Sequence, residues 1–497
     1  MNFKSIPKLL QTNLHFVWVI LFFILHGYAQ SYQLVPLEDL LILTCQITIA
    51  GIIFFALSTR FFRSKIKGGI FTSAVLIIIL FFGAFQDFFR DTKFLSILSY
   101  LRPLILICLI LIIIFFFYLK RTRLSFKKTI VYINSLFLVY LMIEIVTIFF
   151  LSSSASSADG KTLREFKSAP CDSCKAPSVY LVVMDEYMGA EGLKEYFHYS
   201  NSSFENFLDS REFRVFKNSK SNYQRTLFSM ASILNMRYIP ELSEGEMDER
   251  YAYNKVLSLL RNNVVCNIFQ HNGYKTINLS PFEIRNAPSE IISTELPQRI
   301  ELIAAQTMVY RIVKYMPGWL ADLKIIARSK KGELTIVDAN ELAMKRALTI
   351  AEGQGTSPVF AYVHLMMPHP PFVFDSLGRK TGFWSQNLSP VETDKAYFQY
   401  LVYTNHRIEK FIQQLQQATM HKAVIALMSD HGYRAAAQSD IQHAYQTLNA
   451  IFLPDRNYGP WYDGMSNVNQ FRMLLNSVFG QRLPLLKDSI VYQSGLD

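Results

Sequence analysis

Apolar residues fill about the first third of the chain in long, nearly unbroken runs and the rest of it in short ones. The long runs are Leu14–Tyr28, Leu40–Thr59, Gly68–Phe89, Phe94–Tyr118 and Thr129–Leu151, and most come close to the ~20 apolar residues that carry a helix across a bilayer. They predict a membrane domain of five transmembrane helices over residues 1–151. The first run is the shortest and also fits a signal-peptide core, but no clear small-residue cleavage site follows it and four more runs do. Residues 152–177, opening with SSSASSADG, predict a polar linker. From 178 to 497 short apolar runs alternate with helical periodicity. Strands are expected at Ser178–Met184, Thr276–Leu279, Val359–Leu365, Ala423–Met428 and Asn449–Leu453. Helices are expected at Phe204–Ser210, Leu227–Asn235, Tyr253–Gln270, Asn340–Ala351, Thr393–Gln416 and Val468–Phe479. Such alternation predicts an α/β domain with a mostly parallel, doubly wound sheet.

Charge adds an orientation. Arg60, Arg63, Lys65 and Lys67 fall between the second and third runs, and Lys120, Arg121, Arg123, Lys127 and Lys128 between the fourth and fifth. Basic loops of this kind stay in the cytoplasm. With Lys4 and Lys8 before the first run, the N-terminus is expected inside and the α/β domain outside, in the periplasm or on the external face. The net charge of +11 is partly these loops, so it carries no nucleic-acid footprint. The expected partner is the bilayer, and the sequence leaves the oligomeric state open. The spans show no obvious buried ionisable pair that would suggest transport, which makes them an anchor.

Cysteine usage changes little. Cys171 and Cys174 form the only close pair among the five cysteines, which suits a local disulfide in an oxidising compartment. A C-x-x-C pair also serves as half a zinc site or a redox centre, but no second pair exists. Cys45 and Cys108 fall in membrane runs, and Cys266 in an amphipathic helix.

Chemistry enters at two strand ends. Ala423–Gly432 reads AVIALMSDHG, a buried-strand pattern that stops at Asp430 and His431. Ser178–Met184 stops likewise at Asp185-Glu186. The carboxyl ends of strands in a doubly wound sheet meet in one ligand crevice. Asp185, Asp430 and His431 therefore predict a divalent metal site, with zinc or manganese favoured by mixed oxygen and nitrogen donors and magnesium or calcium also compatible. Glu186 is a further ligand, a supporting partner or a residue pointing away, and a second ion depends on it and on His443.

The combination of VVMDE, a hydroxyl-bearing helix start, a PHPP segment and a late SDHG resembles the alkaline phosphatase superfamily in its sulfatase-like branch. With membrane spans in front, the architecture is similar to lipoteichoic acid synthases and lipid A phosphoethanolamine transferases. The resemblance implies a nucleophile at a helix N-terminus, and here the matching residue is Thr226 in RTLFSM, with Ser221, Ser229 and Ser232 as runners-up. A helix start favours a bound anion and an ionised hydroxyl; a threonine there also serves as a simple helix cap. Formylglycine sulfatases use a C/S-x-P-x-R context that RTLFSM lacks. By resemblance, His369 of the PHPP turn contacts the transferred or leaving group, and His443, twelve positions after His431, is either a phosphate-binding histidine or part of an exposed loop, QSDIQHAYQ; Arg225, beside Thr226, either clamps a phosphate or points to solvent, and His364, inside its strand, is expected to be a satisfied core residue. The implied activity is a metal-dependent phospho-group transferase acting on a phospholipid or envelope glycan through a covalent phosphothreonine, with Thr226 also touching the metal. The alternatives are a phosphodiesterase or sulfuric ester hydrolase with water as acceptor, and a non-catalytic envelope scaffold.

Overall fold

The structure is a computed structural model and describes residues 7–32, 34–92, 98, 100–165, 177–239, 249–291, 300–314, 335–353, 355, 357–381 and 388–492. Cys171 and Cys174 lie outside the described residues, as does the start of the expected run Phe94–Tyr118. The chain divides into two compact units: residues 1–160 with 297–331, and residues 161–296 with 332–497.

In the first unit three helices are long and apolar enough to cross a membrane: Leu37–Phe62, Leu101–Arg121 and Lys127–Ser152. Their outer faces leave Leu41, Ile49, Leu57, Ile110, Ile114 and Phe150 exposed, as a lipid-facing helix requires. The third expected run is bent by 55° between Lys65–Leu80 and Phe82–Phe89, and this pair counts as a fourth span only when both halves are taken together. The first expected run is the helix His15–Gln30, whose 16 residues fall short of the ~20 needed alone. Its Phe16, Val19, Ile20, Phe23 and Ile24 are buried against neighbouring helices. Among the described residues three helices pass on length and composition, or four with the bent pair, beside the five runs expected from the sequence.

Two features of this unit escape a linear reading. The helix that begins at Lys127 runs to Glu165, through the first half of the expected linker, because Ala158, Lys161, Leu163, Arg164 and Glu165 extend a helix that the apolar run has already nucleated. And a partly buried pair joins the short first helix to a span: His26 Nδ1 lies 2.8 Å from Glu144 Oε1, with Gln30 Nε2 2.9 Å from His26 Nε2. The partners are 118 positions apart, so only helix docking reveals them. The described residues 300–314 also belong to this unit. Ile303 packs beside Gly27, and Arg311 donates to Gln86 at 2.6 Å and faces Asp87.

The second unit is built on a six-stranded sheet in the order β2-β6-β5-β1-β4-β3. Its strands are β1 Val179–Met184, β2 Arg214–Val215, β3 Lys275–Leu279, β4 Val359–Leu365, β5 Val424–Ser429 and β6 Asn449–Phe452. Four contiguous strands, β5, β1, β4 and β3, are parallel, with β3 at one edge; at the other, β6 pairs antiparallel with β5 and β2 antiparallel with β6. The two-residue β2 is too short to stand out in the sequence.

Strand side chains alternate between faces, and here both faces are apolar. Val179, Leu181 and Val183 of β1 pack with the helices Thr226–Asn235, Glu249–Arg261, Val264–His271 and Gln470–Phe479. Tyr180, Val182 and Met184 pack with the helices Ser202–Ser210, Ile336–Glu352 and Pro390–Ala418. Continuous hydrophobicity in β1 and β5 is the signature of such a doubly covered parallel sheet. The expected helix Tyr253–Gln270 is split, because Asn263 leaves the helical region and its side chain accepts from Cys266 N to cap the second half. Register then positions the chemistry: Met184 pairs with Leu365 on one side and Ser429 on the other, so Asp185 and Asp430 emerge side by side.

Candidate active site

The carboxyl ends of β1, β4 and β5 gather four fully or almost fully buried ligand side chains: Asp185, His364, Asp430 and His431. Ligand atoms of Asp185, His364 and Asp430 lie within 4.8 Å of one another. His431 Nε2 stands 3.3 Å from Asp430 Oδ2 and 3.9 Å from Asp185 Oδ1. The expected trio is brought together, and His364 joins it. His364 is buried as a core residue would be, with Nδ1 2.8 Å from the Tyr362 hydroxyl, but its Nε2 faces Asp185 Oδ2 at 3.3 Å.

Asp430 shows what the cluster is made to hold. Its Oδ1 accepts from Glu186 N at 3.0 Å and His431 N at 2.8 Å. Its Oδ2 is buried and has no hydrogen-bond partner. An orphan carboxylate oxygen costs free energy unless a cation or donor completes it. His431 Nε2 does not supply that donor, because Nδ1 lies 2.8 Å from Gly432 O and must carry the proton to bond a carbonyl. The Nε2 lone pair therefore points at the same space as the bare Asp430 oxygen, which is how a metal-ligating histidine is oriented. These donors fit a divalent cation, as expected from the sequence.

The backbone that fixes Asp430 is itself over-determined. Ser429 N pairs with Leu448 O at 2.9 Å, and the Asp430 carbonyl accepts from Ser229 Oγ at 2.5 Å and Asn467 Nδ2 at 3.3 Å. Ser229 thus sits inside the helix, buried, as a tether rather than a nucleophile. At Gly432 an added Cβ would lie 2.2 Å from His443 O and 2.6 Å from Gln446 O. Gly432→Ala is therefore expected to destabilise the protein by about 1–3 kcal/mol through overpacking and to loosen metal binding through His431; thermal melting with and without metal measures both.

Electrostatics follow burial and neighbours. Burial, followed by the charge of Asp185, pushes the Asp430 carboxyl above its ordinary value. Burial also works against charge on Asp185, but His369, His364 and His431 outweigh it and hold that carboxyl below the usual range. Two adjacent buried carboxylates ionise together only when a cation is present.

Thr226 is the first residue of the helix Thr226–Asn235, with Arg225 in the extended capping position and no side-chain cap. The Thr226 hydroxyl bonds outward instead: Oγ1 is 3.1 Å from His431 Nε2 and 3.4 Å from each Asp185 oxygen. The capping role is thus not what its side chain does. Leu227 to Asn235 are all buried, so the helix is anchored and its free N–H groups face the cluster.

A cleft of about 780 Å³ opens over Thr226, lined by Asp185, Arg225, His369 and Arg434 together with Tyr253, Phe282 and Met366. His369 is partly buried in a turn with cis peptides at Met367-Pro368 and Pro370-Pro371. Its Nδ1 is 2.6 Å from Pro370 O, and its Nε2 is 3.1 Å from Arg434 Nη2. Guanidinium offers donors only, so in this arrangement Nε2 accepts and the ring is neutral. Burial also disfavours the imidazolium, whereas the charges of Asp185 and Glu186 favour it and raise the group above its ordinary value.

Glu186 points away from the metal ligands. Its buried carboxylate accepts from Arg434 N at 3.0 Å and Nε at 3.2 Å, while its own N–H holds Asp430. His443 does not line the cleft; it lies beside Gln446 Oε1 at 2.9 Å and Tyr196. Arg225 does line it, whereas Ser221 and Ser232 are buried elsewhere, with Ser232 Oγ donating to Arg237 O. Arg434 was not anticipated, because GYRAAAQ has the composition of a surface loop and its importance comes from Glu186, far away in sequence.

The sulfatase family model matches residues 178–471. No curated protein sequence matches. Among solved structures the chain is similar to the C-terminal periplasmic domain of EcEptC from Escherichia coli in complex with zinc, at 13% identity and TM-score 0.39 over 62% of this chain and 84% of that one. It is also similar to the soluble domain of lipooligosaccharide phosphoethanolamine transferase A from Neisseria meningitidis, at 13% identity and TM-score 0.36 over 61% and 88% of the two chains. A third similar structure is the phosphonate monoester hydrolase SpPMH from Silicibacter pomeroyi, at 14% identity and TM-score 0.41 over 65% and 76%. With its family match covering more than half of the 497 residues, the chain belongs to the sulfatase family and is an enzyme of the sulfatase-like branch of the alkaline phosphatase superfamily.

Proposed function

We propose that this protein is a membrane-anchored, extracytoplasmic phospho-group transferase that works through a covalent phosphothreonine at Thr226. The observation that carries this reading is the direction of the Thr226 hydroxyl, which leaves its own helix and points at Asp185 and His431. Asp185, Asp430 and His431, with His364 beside them, would hold a divalent ion, zinc or manganese being best suited to the donors. When bound, that ion supplies positive charge that lowers the pKa of the Thr226 hydroxyl and of a coordinated oxygen.

The steps belong to the protein. Thr226 Oγ1 gives up its proton to solvent and forms an Oγ1–P bond at the phosphorus of a diester, while the bond from phosphorus to the departing alcohol breaks. The helix N–H groups at Thr226 and Leu227 hold the anionic oxygens in place. Once freed from Arg434, His369 Nε2 takes up a proton from solvent, and the imidazolium donates that proton to the departing oxygen. An acceptor hydroxyl then gives its proton to the now neutral His369 and attacks the phosphothreonine, the P–Oγ1 bond breaks, and Thr226 Oγ1 takes up a proton from solvent. Anchoring to a bilayer confines the enzyme with a phospholipid donor and an envelope acceptor, which raises their effective concentration.

Product analysis tests the transfer. With an added sugar or lipid acceptor, the phospho group is expected on the acceptor; its appearance only as the hydrolysed product would establish a phosphodiesterase instead. A second expectation concerns His369→Gln. General-acid catalysis contributes about 10²–10⁴-fold, so kcat should fall by that order for alkyl leaving groups and far less for p-nitrophenol, which leaves without a proton. Equal losses for both would remove His369 from the acid role. Because carboxylates raise the pKa of His369, the wild-type rate for alkyl substrates is expected to decline on the alkaline side, above the pKa of an ordinary imidazole, and this limb should be missing in the variant.

A further inference from the structure

We propose that residues 300–314 are a docking arm of the α/β unit that grips the membrane unit directly, so that the catalytic unit stays membrane-bound when the linker is cut. The inference goes beyond phospho transfer and does not depend on it.

Connectivity comes first. The chain leaves the membrane unit after residue 160, returns to it at 297 and leaves again after 331. In sequence the returning segment lies between β3 and β4, two strands of the α/β sheet. It is therefore an insertion in the α/β unit that folds as part of the membrane unit. The chain crosses between the two units three times, where a single linker would cross once.

The arm is held by apolar, backbone and charged contacts together. Ile303, in the short helix Glu301–Ala304, is 1% exposed and shares an apolar cluster with Phe16, Val19, Phe23 and Leu80. Met308, which opens the helix Met308–Lys314, packs against Phe82, Leu104 and Cys108. Between these two anchors the arm supplies a backbone partner that the membrane helices lack. An unbroken helix would bond Gly83 N four residues back. The pair Lys65–Leu80 and Phe82–Phe89 bends by 55° at this point, and Gly83 N donates instead to Gln306 O at 2.8 Å. An open backbone N–H in apolar surroundings is costly, so the bend and the arm stabilise each other. The approach is close: a Cβ on Gly83 would lie 2.9 Å from Gln306 Cα and 2.6 Å from Arg311 Nη2. Arg311 fastens the far end, donating to Gln86 Oε1 at 2.6 Å and facing Asp87 Oδ2 at 3.4 Å, with both charged side chains mostly buried. Reversing one charge of such a pair leaves two like charges together in a place of low solvent access.

The test cuts the linker of the full-length protein in native membranes. A site for a sequence-specific protease is inserted among residues 166–176, cleavage is followed on a gel, and the membranes are washed and sedimented. The wild-type α/β fragment is expected in the pellet, whereas Ile303→Asp combined with Arg311→Glu should release it to the supernatant with its bound metal. A second variant reads the contact itself. A Cβ on Gly27 lies 3.4 Å from Ile303 Cβ, close to the Cβ separation of a disulfide. Gly27→Cys with Ile303→Cys should therefore keep the cut halves in one band on a non-reducing denaturing gel and part them on reduction, with each single variant giving two bands throughout. A wild-type fragment found in the supernatant, a double-cysteine protein that gives two bands without reductant, or an Ile303→Asp/Arg311→Glu fragment that stays in the pellet would each overturn the proposal. The cross-link decides the matter if the charge-reversed variant does not fold.

Discussion

Thr226→Ala is expected to fold, to bind its metal and to lose turnover by about 10⁴-fold or more, the scale on which removal of a covalent nucleophile acts. Thr226→Ser should keep a measurable part of the rate, since the hydroxyl remains at the helix start. The separation of metal binding from turnover is the informative part. Thr226 reaches Asp185 only at 3.4 Å, and the carboxylates and imidazoles behind it are fixed by other groups: Asp430 by two backbone N–H groups, His431 by the Gly432 carbonyl. Metal content by elemental analysis and initial rates on a phosphodiester check both halves. A Thr226→Ala variant that turns over at wild-type rate would place the nucleophile elsewhere, with water as the first candidate.

Asp430→Asn is expected to do the reverse and empty the metal site. The substitution keeps the volume and the Oδ1 contacts but replaces the bare, buried Oδ2 with an N–H₂ donor that faces the His431 lone pair. Losing even a residue that supports a ligand costs 10–100-fold in metal affinity, so replacement of a ligand should cost about 100-fold or more. The pH dependence follows from Asp430 being raised by burial and by Asp185. Protons compete with the cation for this carboxylate. Metal affinity is therefore full at neutral pH and falls as pH drops toward the carboxyl's value without metal, which lies above that of a free aspartate. Metal retention after dialysis across a pH series should show this acid release in wild type. An Asp430→Asn protein that keeps its metal would mean that Asp185 and the two histidines suffice.

Much of this site was legible in the sequence because parallel strands leave a local trace. β1 and β5 are apolar on both faces, and each ends abruptly in a carboxylate, which is enough to place Asp185 and Asp430 at one sheet edge. Thr226 was singled out by the family resemblance, since a helix start alone fits a cap equally well. What was missed depends on partners distant in sequence. His364 looked like a core residue because it sits inside β4, and only the register of β4 with β1, Val183 against His364, turns it toward Asp185. Arg434 is an unremarkable loop residue until Glu186, more than two hundred positions earlier, is found holding it. His443 was open in the sequence between phosphate binding and an exposed loop, and the 3-10 turn Ile441–Ala444 sets it, buried, beside Gln446 and Tyr196. In the membrane unit, hydropathy located the helices but not their limits. The bend after Leu80 falls inside one apolar run, and the helix continuing to Glu165 crosses the shift to the polar SSSASSADG without stopping. The pair His26–Glu144 and the attachment of residues 300–314 are likewise products of docking, which a linear pattern does not encode.

The central claim is a covalent phosphothreonine, and peptide mass spectrometry after incubation with total bacterial membrane lipid and a divalent metal tests it most directly. The account predicts a mass adduct on the peptide containing Thr226, with its size giving the transferred group, and no adduct in Thr226→Ala. An unmodified Thr226 peptide from protein that holds its metal and turns over the lipid would contradict it.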